Sequence, residues 1–302
     1  MPTTTEGLIP NWFPPNRENY DLILTLWKLF PFFSSLQWLI PWYGMGKTSI
    51  PHSPLNLPGR LAWLTMEIPG FLTLLYHLYV LPSQLPLPPS PDGSLPWQTQ
   101  TLAFLFVFHY IYRAILFPFL QPSMSPVHLF IWLLGVTFQL VNGTVIGAWL
   151  AGYGPMYYNH SPAQTPISQF ALGLIVFYLG LASNYFHDDH LREIRRRVLR
   201  RQQLAAQKPD DSPDAPKSVE KHYEIPQAGL FKVVLYPHYL SEWIEWVGYW
   251  IAAGWGCVPA RCFVLNEVTA MLPRAVRGRQ WYVERFGEET VGRRWAVIPG
   301  VW

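Results

Sequence analysis

The chain has 302 residues, half of them hydrophobic, 16% aromatic and only 14% charged, with a net charge of +3. A soluble domain carries about 25% charged residues, so this composition excludes an ordinary aqueous globule and points to a bilayer. The mean hydropathy of +0.10 is held down by thirty prolines and fifteen tryptophans, residues that spans and interfaces tolerate or favour.

From the N-terminus, no basic stretch followed by a short apolar run and a small-residue cleavage site is read, so a removable signal peptide is not expected. Seven apolar segments follow, predicted as spans at Leu22–Trp42, Leu61–Val80, Leu102–Phe119, Val127–Leu150, Phe170–Tyr185, Phe231–Ala253 and Val258–Leu272. Arg261, Asn266 and Glu267 make the last the weakest. Nine Lys and Arg fall between Asp188 and Ala228, and six more between Arg274 and Arg294. Lys47 and Arg60 lie in the first connection, whereas Ser83–Trp97 and Tyr153–Gln164 hold none. Seven spans with the N-terminus outside place every basic region in the cytosol, as the positive-inside rule prefers. The expectation is an all-α membrane protein, a single membrane-embedded domain over 1–302. Five N-terminal spans with substrate-side residues occupy 22–185. A cytosolic basic loop with a disordered linker covers 186–228, and a C-terminal hairpin with its cytosolic tail covers 229–302.

Ionisable groups at membrane depth cost about 2.5–3.5 kcal/mol even on the insertion scale, which makes each a functional candidate. Glu67 stands isolated in Leu61-Ala-Trp-Leu-Thr-Met-Glu-Ile-Pro-Gly. A carboxylic acid kept neutral in such surroundings donates a hydrogen bond to a substrate oxygen. The bland alternative is an acid marking a helix end. In the third span His109-Tyr110-Ile-Tyr112-Arg113 sets Tyr110 as a second donor to the same oxygen, while Arg113 taken alone reads as an interface anchor. Asn142-Gly-Thr and Asn159-His-Ser are glycosylation sequons by pattern; the first is mid-span and the second precedes Pro162.

At the end of the fifth span Asn184, Asp188, Arg192 and Arg195 recur at four, four and three residues, one helical face. Amide, carboxylate and guanidinium in line suit ribose hydroxyls, a carboxamide and phosphates respectively. His187, Asp188, Asp189 and His190 are adjacent and point to different sides, so no metal site is expected. Cys257 and Cys262 give neither a disulfide framework nor a metal-ligand spacing. The Arg195–Arg201 run reads first as a membrane-surface anchor, with phosphate binding as the alternative. Beyond it Lys208-Pro-Asp-Asp-Ser-Pro-Asp-Ala-Pro-Lys217 has linker composition. Neither a P-loop nor a Gly-x-Gly-x-x-Gly fingerprint occurs.

In the sixth span His238, Glu242, Glu245 and Tyr249 are spaced four, three and four, a polar stripe flanked by Trp243, Trp246 and Trp250. Two buried acids there call for a cavity, a partner or a bound polar ligand. A solvated groove without chemistry is the bland reading.

Three stretches then carry a resemblance: Asn184-x-x-x-Asp188-x-x-Leu191-Arg192, Tyr223-Glu-Ile-Pro-Gln-Ala-Gly-Leu-Phe231, and Glu242-Trp-Ile-Glu245-Trp-Val-Gly-Tyr249. With Tyr282, Phe286 and Arg293-Arg294…Ile298-Pro299 they resemble the steroid 5α-reductase family, the 3-oxo-5α-steroid 4-dehydrogenases. Thinner matches lie at Tyr43-Gly44 with Lys47, Glu67-Ile-Pro, His109-Tyr110 with Arg113, and Asn142-Gly143. The resemblance implies a seven-helix bundle in the endoplasmic reticulum membrane, C-terminus cytosolic, holding NADPH between its cytosolic ends. Asn184, Asp188, Arg195, Tyr223, His238, Glu242 and Tyr282 fall on the positions around the cofactor. Glu67 and Tyr110 fall on the pair that holds the substrate ketone. The implied reaction is hydride transfer to the β-carbon of an α,β-unsaturated ketone in a lipophilic small molecule. A monomer with no nucleic-acid partner is expected.

Several positions depart from that pattern. Arg277-Gly-Arg279-Gln-Trp281 replaces a histidine-rich stretch, Glu224 an arginine, Met66 a glutamine and His238 an asparagine, and the Arg196–Lys221 linker is extra length. Pro237-His238 is similar to the polyprenol-reductase and enoyl-CoA-reductase branches, which keeps a polyprenol or an enoyl thioester open as acceptor. A membrane S-adenosylmethionine methyltransferase of the isoprenylcysteine type would carry Arg-His-Pro where this chain has Leu235-Tyr-Pro-His238. A non-catalytic lipid-binding relative is the remaining alternative.

Overall fold

The computed structural model describes residues 7–40, 42–46, 52–86, 94–154, 164–206 and 223–301. Lys47, the sequon at Asn159 and most of the predicted linker lie outside the described residues.

Seven long helical elements are present. They are α1 (Arg17–Ser34, continued by a 3-10 turn Ser35–Trp38), α2 (Gly59–Gln84), α3 (Trp97–Leu120), α4 (Leu129–Tyr153), α5 (Ile167–Ala206), α6 (Pro237–Ala253) and α7 (Val258–Phe286). A short α8 (Glu288–Val291) precedes the tail. Four of the helices, α2 to α5, are long and apolar enough to cross a membrane. Strands β1 (Asn56–Leu57) and β2 (Val127–His128) pair antiparallel and tie the entries of α2 and α4.

Burial follows bilayer logic. Leu72, Tyr79, Phe104, Leu133, Ile175 and Leu179 face outward, while His77, Thr99, His109, Asn142, Arg192, Glu245 and Asn266 are buried among the helices. Water would favour the opposite arrangement; lipid favours this one, because polar side chains there must find partners inside the bundle. The chain is an all-α integral membrane protein. Pro31, Pro69, Pro82 and Pro273 sit inside helices, as membrane helices tolerate where neighbours re-satisfy the freed backbone groups.

Two helix pairs approach closely because their contacts lack side chains. On α5, a Cβ at Gly180 would lie 2.4 Å from the backbone nitrogen of Glu245 on α6. On α4, one at Gly143 would lie 2.3 Å from the Gly70 carbonyl oxygen on α2. Small residues are what permit such contact where no hydrophobic effect drives helices together. These two contacts set Glu245 against α5 and Glu67 against α4.

Three predicted boundaries shift. The fifth span does not stop at Tyr185, since α5 runs on through the arginine run to Ala206. The sixth begins at Pro237, not Phe231. Phe231 and Lys232 close a 3-10 turn (Gly229–Lys232), and Val233–Tyr236 is held out of α6 by the C-terminal tail: the Leu235 and Tyr236 N–H groups donate to the Trp295 and Ala296 carbonyls, each at 2.9 Å. The Arg294 guanidinium adds bonds to Phe231 O (3.0 Å) and Gln227 Oε1 (2.8 Å). Finally, α7 continues well past Leu272, carrying Arg274 and Tyr282 on the same helix.

Candidate active site

A cavity of about 1120 Å³ opens between these helices. Drug-sized ligands occupy about 300–1,000 Å³, so this one has room for more than a single small molecule. One part is apolar, walled by Trp27 and Phe30 of α1, Leu134 and Phe138 of α4, and Phe263 of α7. Another is basic and aromatic, with Arg195, Tyr223, Tyr236, His238 and Tyr282. Carboxylates line it from four helices: Glu67 (α2), Asp188 (α5), Glu242 (α6) and Glu267 (α7).

Glu67 and Tyr110, the pair expected on the substrate side, both line the cavity and are 8% and 2% exposed. Gln139 Nε2 of α4 donates to Glu67 Oε2, and Asn142 Nδ2 donates to the Tyr110 hydroxyl at 3.4 Å. The tight α2–α4 contact brings these amides within reach. Both candidate donors are thereby held by neutral side chains, which leaves no cation permanently seated on the Glu67 carboxyl.

The opposite end is organised by Arg113. Its guanidinium nitrogens lie 3.7 Å from Asp188 Oδ2 and 3.6 Å from Glu242 Oε2, and its carbonyl accepts from Trp63 Nε1 at 2.9 Å. The expectation that Arg113 anchors an interface is therefore corrected. It lies on a π-helical turn, Ile111–Leu116, and lines the cavity together with His109 and Tyr110, which precede it by four and three residues on the same face. Behind it, Arg192 donates from Nη2 to the Tyr112 hydroxyl (2.9 Å), and that hydroxyl donates to Asp188 Oδ2 (3.4 Å).

The polar stripe on α6 divides. His238 and Glu242 line the cavity. Glu245 instead lies 2.7 Å from His109 Nδ1, fully buried, and Tyr249 packs its ring against Phe106, Phe177 and Trp246. Of the residues predicted around the cofactor, Asp188, Arg195, Tyr223, His238, Glu242 and Tyr282 line the wall, and Asn184 does not. Asn184 is 3% exposed on α5, one turn before Asp188, and its Oδ1 has no hydrogen-bond partner among the described residues. Among the described residues no three His, Cys, Asp or Glu side chains are placed to hold a metal ion.

Sequence reasoning gave no site role to Gln139, Glu267 or Arg274, and noted Tyr43 only as a thin family match. Arg274 donates to the Tyr43 hydroxyl (3.1 Å) and the Tyr239 hydroxyl (3.0 Å), closing one wall. Glu267 and Arg274 are seven residues apart, two helical turns on one face, and that spacing was the available signal.

The cavity thus joins apolar walls, two buried hydrogen-bonding groups and a basic, aromatic rim in one space within a membrane bundle. The family model described as 3-oxo-5-alpha-steroid 4-dehydrogenase matches residues 125–208 and 213–302. The chain belongs to that family, whose members are oxidoreductases acting on CH–CH groups. It is 34% identical over 261 residues to "Uncharacterized protein C9.08c" of Schizosaccharomyces pombe, covering 84% of this chain and 88% of the relative. It is 30% identical to "3-oxo-5-alpha-steroid 4-dehydrogenase 2" of Sus scrofa, covering 85% and 86%. To "Steroid 5-alpha-reductase DET2" of Solanum lycopersicum it is 28% identical, covering 94% and 96%.

The family implies a nicotinamide cofactor, and the residues present fit one. Arg195 reaches the cavity with a single 3.4 Å bond to the Ser123 carbonyl, leaving guanidinium donors for a phosphate. Asp188 and Glu242 offer acceptors for ribose hydroxyls. Tyr223 and Tyr282 offer aromatic faces at the same end.

Proposed function

We propose that the chain is an NADPH-dependent reductase that saturates the carbon–carbon double bond of an α,β-unsaturated ketone in a steroid-like lipid. One observation carries this reading: Glu67 and Tyr110 open onto the same cavity as Asp188, Arg195 and Glu242. Bound NADPH supplies a hydride to the β-carbon, and a proton reaches the α-carbon, so the π bond is lost as the cofactor is oxidised.

Glu67 and Tyr110 hold the ketone oxygen, where negative charge builds as the enolate forms. Donors fixed in a water-poor site stabilise that charge without reorganising. Gln139 and Asn142 orient the two donors. Arg113 fixes Asp188 and Glu242 so that they meet the ribose hydroxyls at a constant place. The apolar walls exclude water from the transfer. Asn184, buried one turn before Asp188 on α5, is not among the residues that line the cavity. The protein works as a monomer in the endoplasmic reticulum membrane, its C-terminus cytosolic, which places the basic rim on the side where the nucleotide is found.

Pro237-His238 favours a second reading, an allylic polyprenol or an enoyl thioester as the acceptor. One experiment separates these. Membranes containing the protein receive NADPH and, separately, a 4-ene-3-ketosteroid, a polyprenol and an enoyl thioester; products heavier by two hydrogens are sought by mass spectrometry. Saturation of the enone supports the proposal. Saturation of another acceptor alone replaces it, and no reduction of any of them rejects it.

A further inference from the structure

Along α7, Glu267, Met271, Arg274 and Tyr282 line the cavity. Their steps of four, three and eight residues continue through position 278, so that position belongs to the same cavity-facing stripe. Gly278 stands there. A Cβ built on it would lie 1.7 Å from the Tyr236 hydroxyl and 2.3 Å from Tyr236 Cζ. The phenol therefore occupies the place a side chain at 278 would take.

Tyr236 is not free to give way. Its N–H donates to the Ala296 carbonyl at 2.9 Å, and the Trp295 N–H donates to Val233 O at the same distance. The ring meets Tyr239 at 5.2 Å and His238 at 5.6 Å, and it packs into the apolar clusters around Trp243 and around Tyr282. Tyr236 itself lines the cavity, at the end that holds Arg195, Tyr223 and Tyr282. A hydroxyl group on a rigid ring, held by the tail and presented on a cavity-facing stripe of another helix, is a preorganised hydrogen-bonding group.

We propose that Tyr236 is a further nucleotide-contacting residue, and that Gly278 acts by leaving room for its hydroxyl at the cofactor end. This rests on the reductase reading. It adds a donor from the loop before α6 at a position where α7 supplies none.

Equilibrium NADPH binding to the detergent-purified full-length protein, followed by fluorescence titration without any acceptor, tests it. Tyr236→Phe keeps the ring and the melting temperature and weakens NADPH binding about five- to tenfold, the loss of one hydrogen bond. Gly278→Ala, which displaces the phenol, weakens it at least as much. Tyr236→Gly combined with Gly278→His returns a hydrogen-bonding ring to the same face from the helix side and recovers affinity relative to Tyr236→Gly alone. Acceptor KM stays unchanged in Tyr236→Phe. If wild type binds NADPH and Tyr236→Phe binds it equally well, the inference fails while the reductase reading stands. If wild type does not bind NADPH, both fail. Should Gly278→Ala not fold, Tyr236→Phe alone still decides.

Discussion

The two ends of the cavity are built by different means. At the end proposed for the substrate, Glu67 and Tyr110 sit on α2 and α3 and are steadied by amides, Gln139 and Asn142, with no ion pair of their own among the described residues. At the cofactor end, Asp188 and Glu242 share one guanidinium, and a second arginine supports the arrangement through Tyr112. Neutral partners suit donors that must respond to charge appearing only in the transition state. Fixed charges suit a cofactor that carries its own charge throughout. Damage at the first end should therefore be read in turnover, and damage at the second in folding and nucleotide affinity.

The largest effect breaks the charged end. Arg113→Ala leaves two buried carboxylates facing each other without a cation, and removing one partner of a buried pair costs about 3–5 kcal/mol. A large fall in melting temperature and lost NADPH binding are expected, with Arg113→Lys recovering part of both. An unchanged melting temperature would show that the guanidinium is not the organising group.

Next come Glu67→Gln, which exchanges the acidic carboxyl donor for a weaker amide N–H, and Tyr110→Phe, which removes a donor to the ketone oxygen. Loss of one such donor lowers kcat by about 10²–10³, and NADPH affinity should hold. Initial rates beside nucleotide titration give both numbers. Full activity in both variants would remove the two residues from the chemistry.

How far the sequence alone revealed this site follows from what each residue's role depends on. Glu67, Tyr110 and Glu242 stood out because an acid or a phenol in an apolar run is costly wherever the helix packs. The seven-helix bundle was legible for the same reason. Gln139 was not, since a single amide in a span gains meaning only when Gly143 and Gly70 let α4 close on α2. The three-residue step put Arg113 on the face of Tyr110, but an arginine near a span end reads equally as an anchor, and only the fold brings Asp188 and Glu242 to it. The start of α6 was lost because Phe231–Tyr236 is as apolar as a span, and only the tail at 295–296 holds Val233–Tyr236 out of the helix. Gly278 stood only as part of a stretch that departs from the family pattern, and the fold alone places Tyr236 in the space beside it.

A smaller effect sharpens the neutral end. Gly143→Ala inserts a methyl group 2.3 Å from the Gly70 carbonyl oxygen, and overpacking of this kind costs about 1–3 kcal/mol. The α2–α4 pair must part, which moves Gln139 from Glu67. A drop in kcat exceeding any change in NADPH affinity is expected, and equal losses in both would place the strain elsewhere in the bundle.

The smallest effect lies behind the charged end. Tyr112→Phe removes the hydroxyl that accepts from Arg192 and donates to Asp188, while the ring remains against Tyr185. One hydrogen bond of this kind contributes about 0.5–1.5 kcal/mol. If the cofactor end works as a connected charge network, the loss reaches Asp188 and appears as weaker NADPH binding with kcat unchanged. Were Arg192 only a structural plug between α3 and α5, the same variant would lower the melting temperature and leave nucleotide affinity alone. Among the described residues the Arg192 guanidinium is hydrogen-bonded toward the cavity through the Tyr112 hydroxyl, so removing this oxygen atom tests whether that link carries the buried guanidinium into the site.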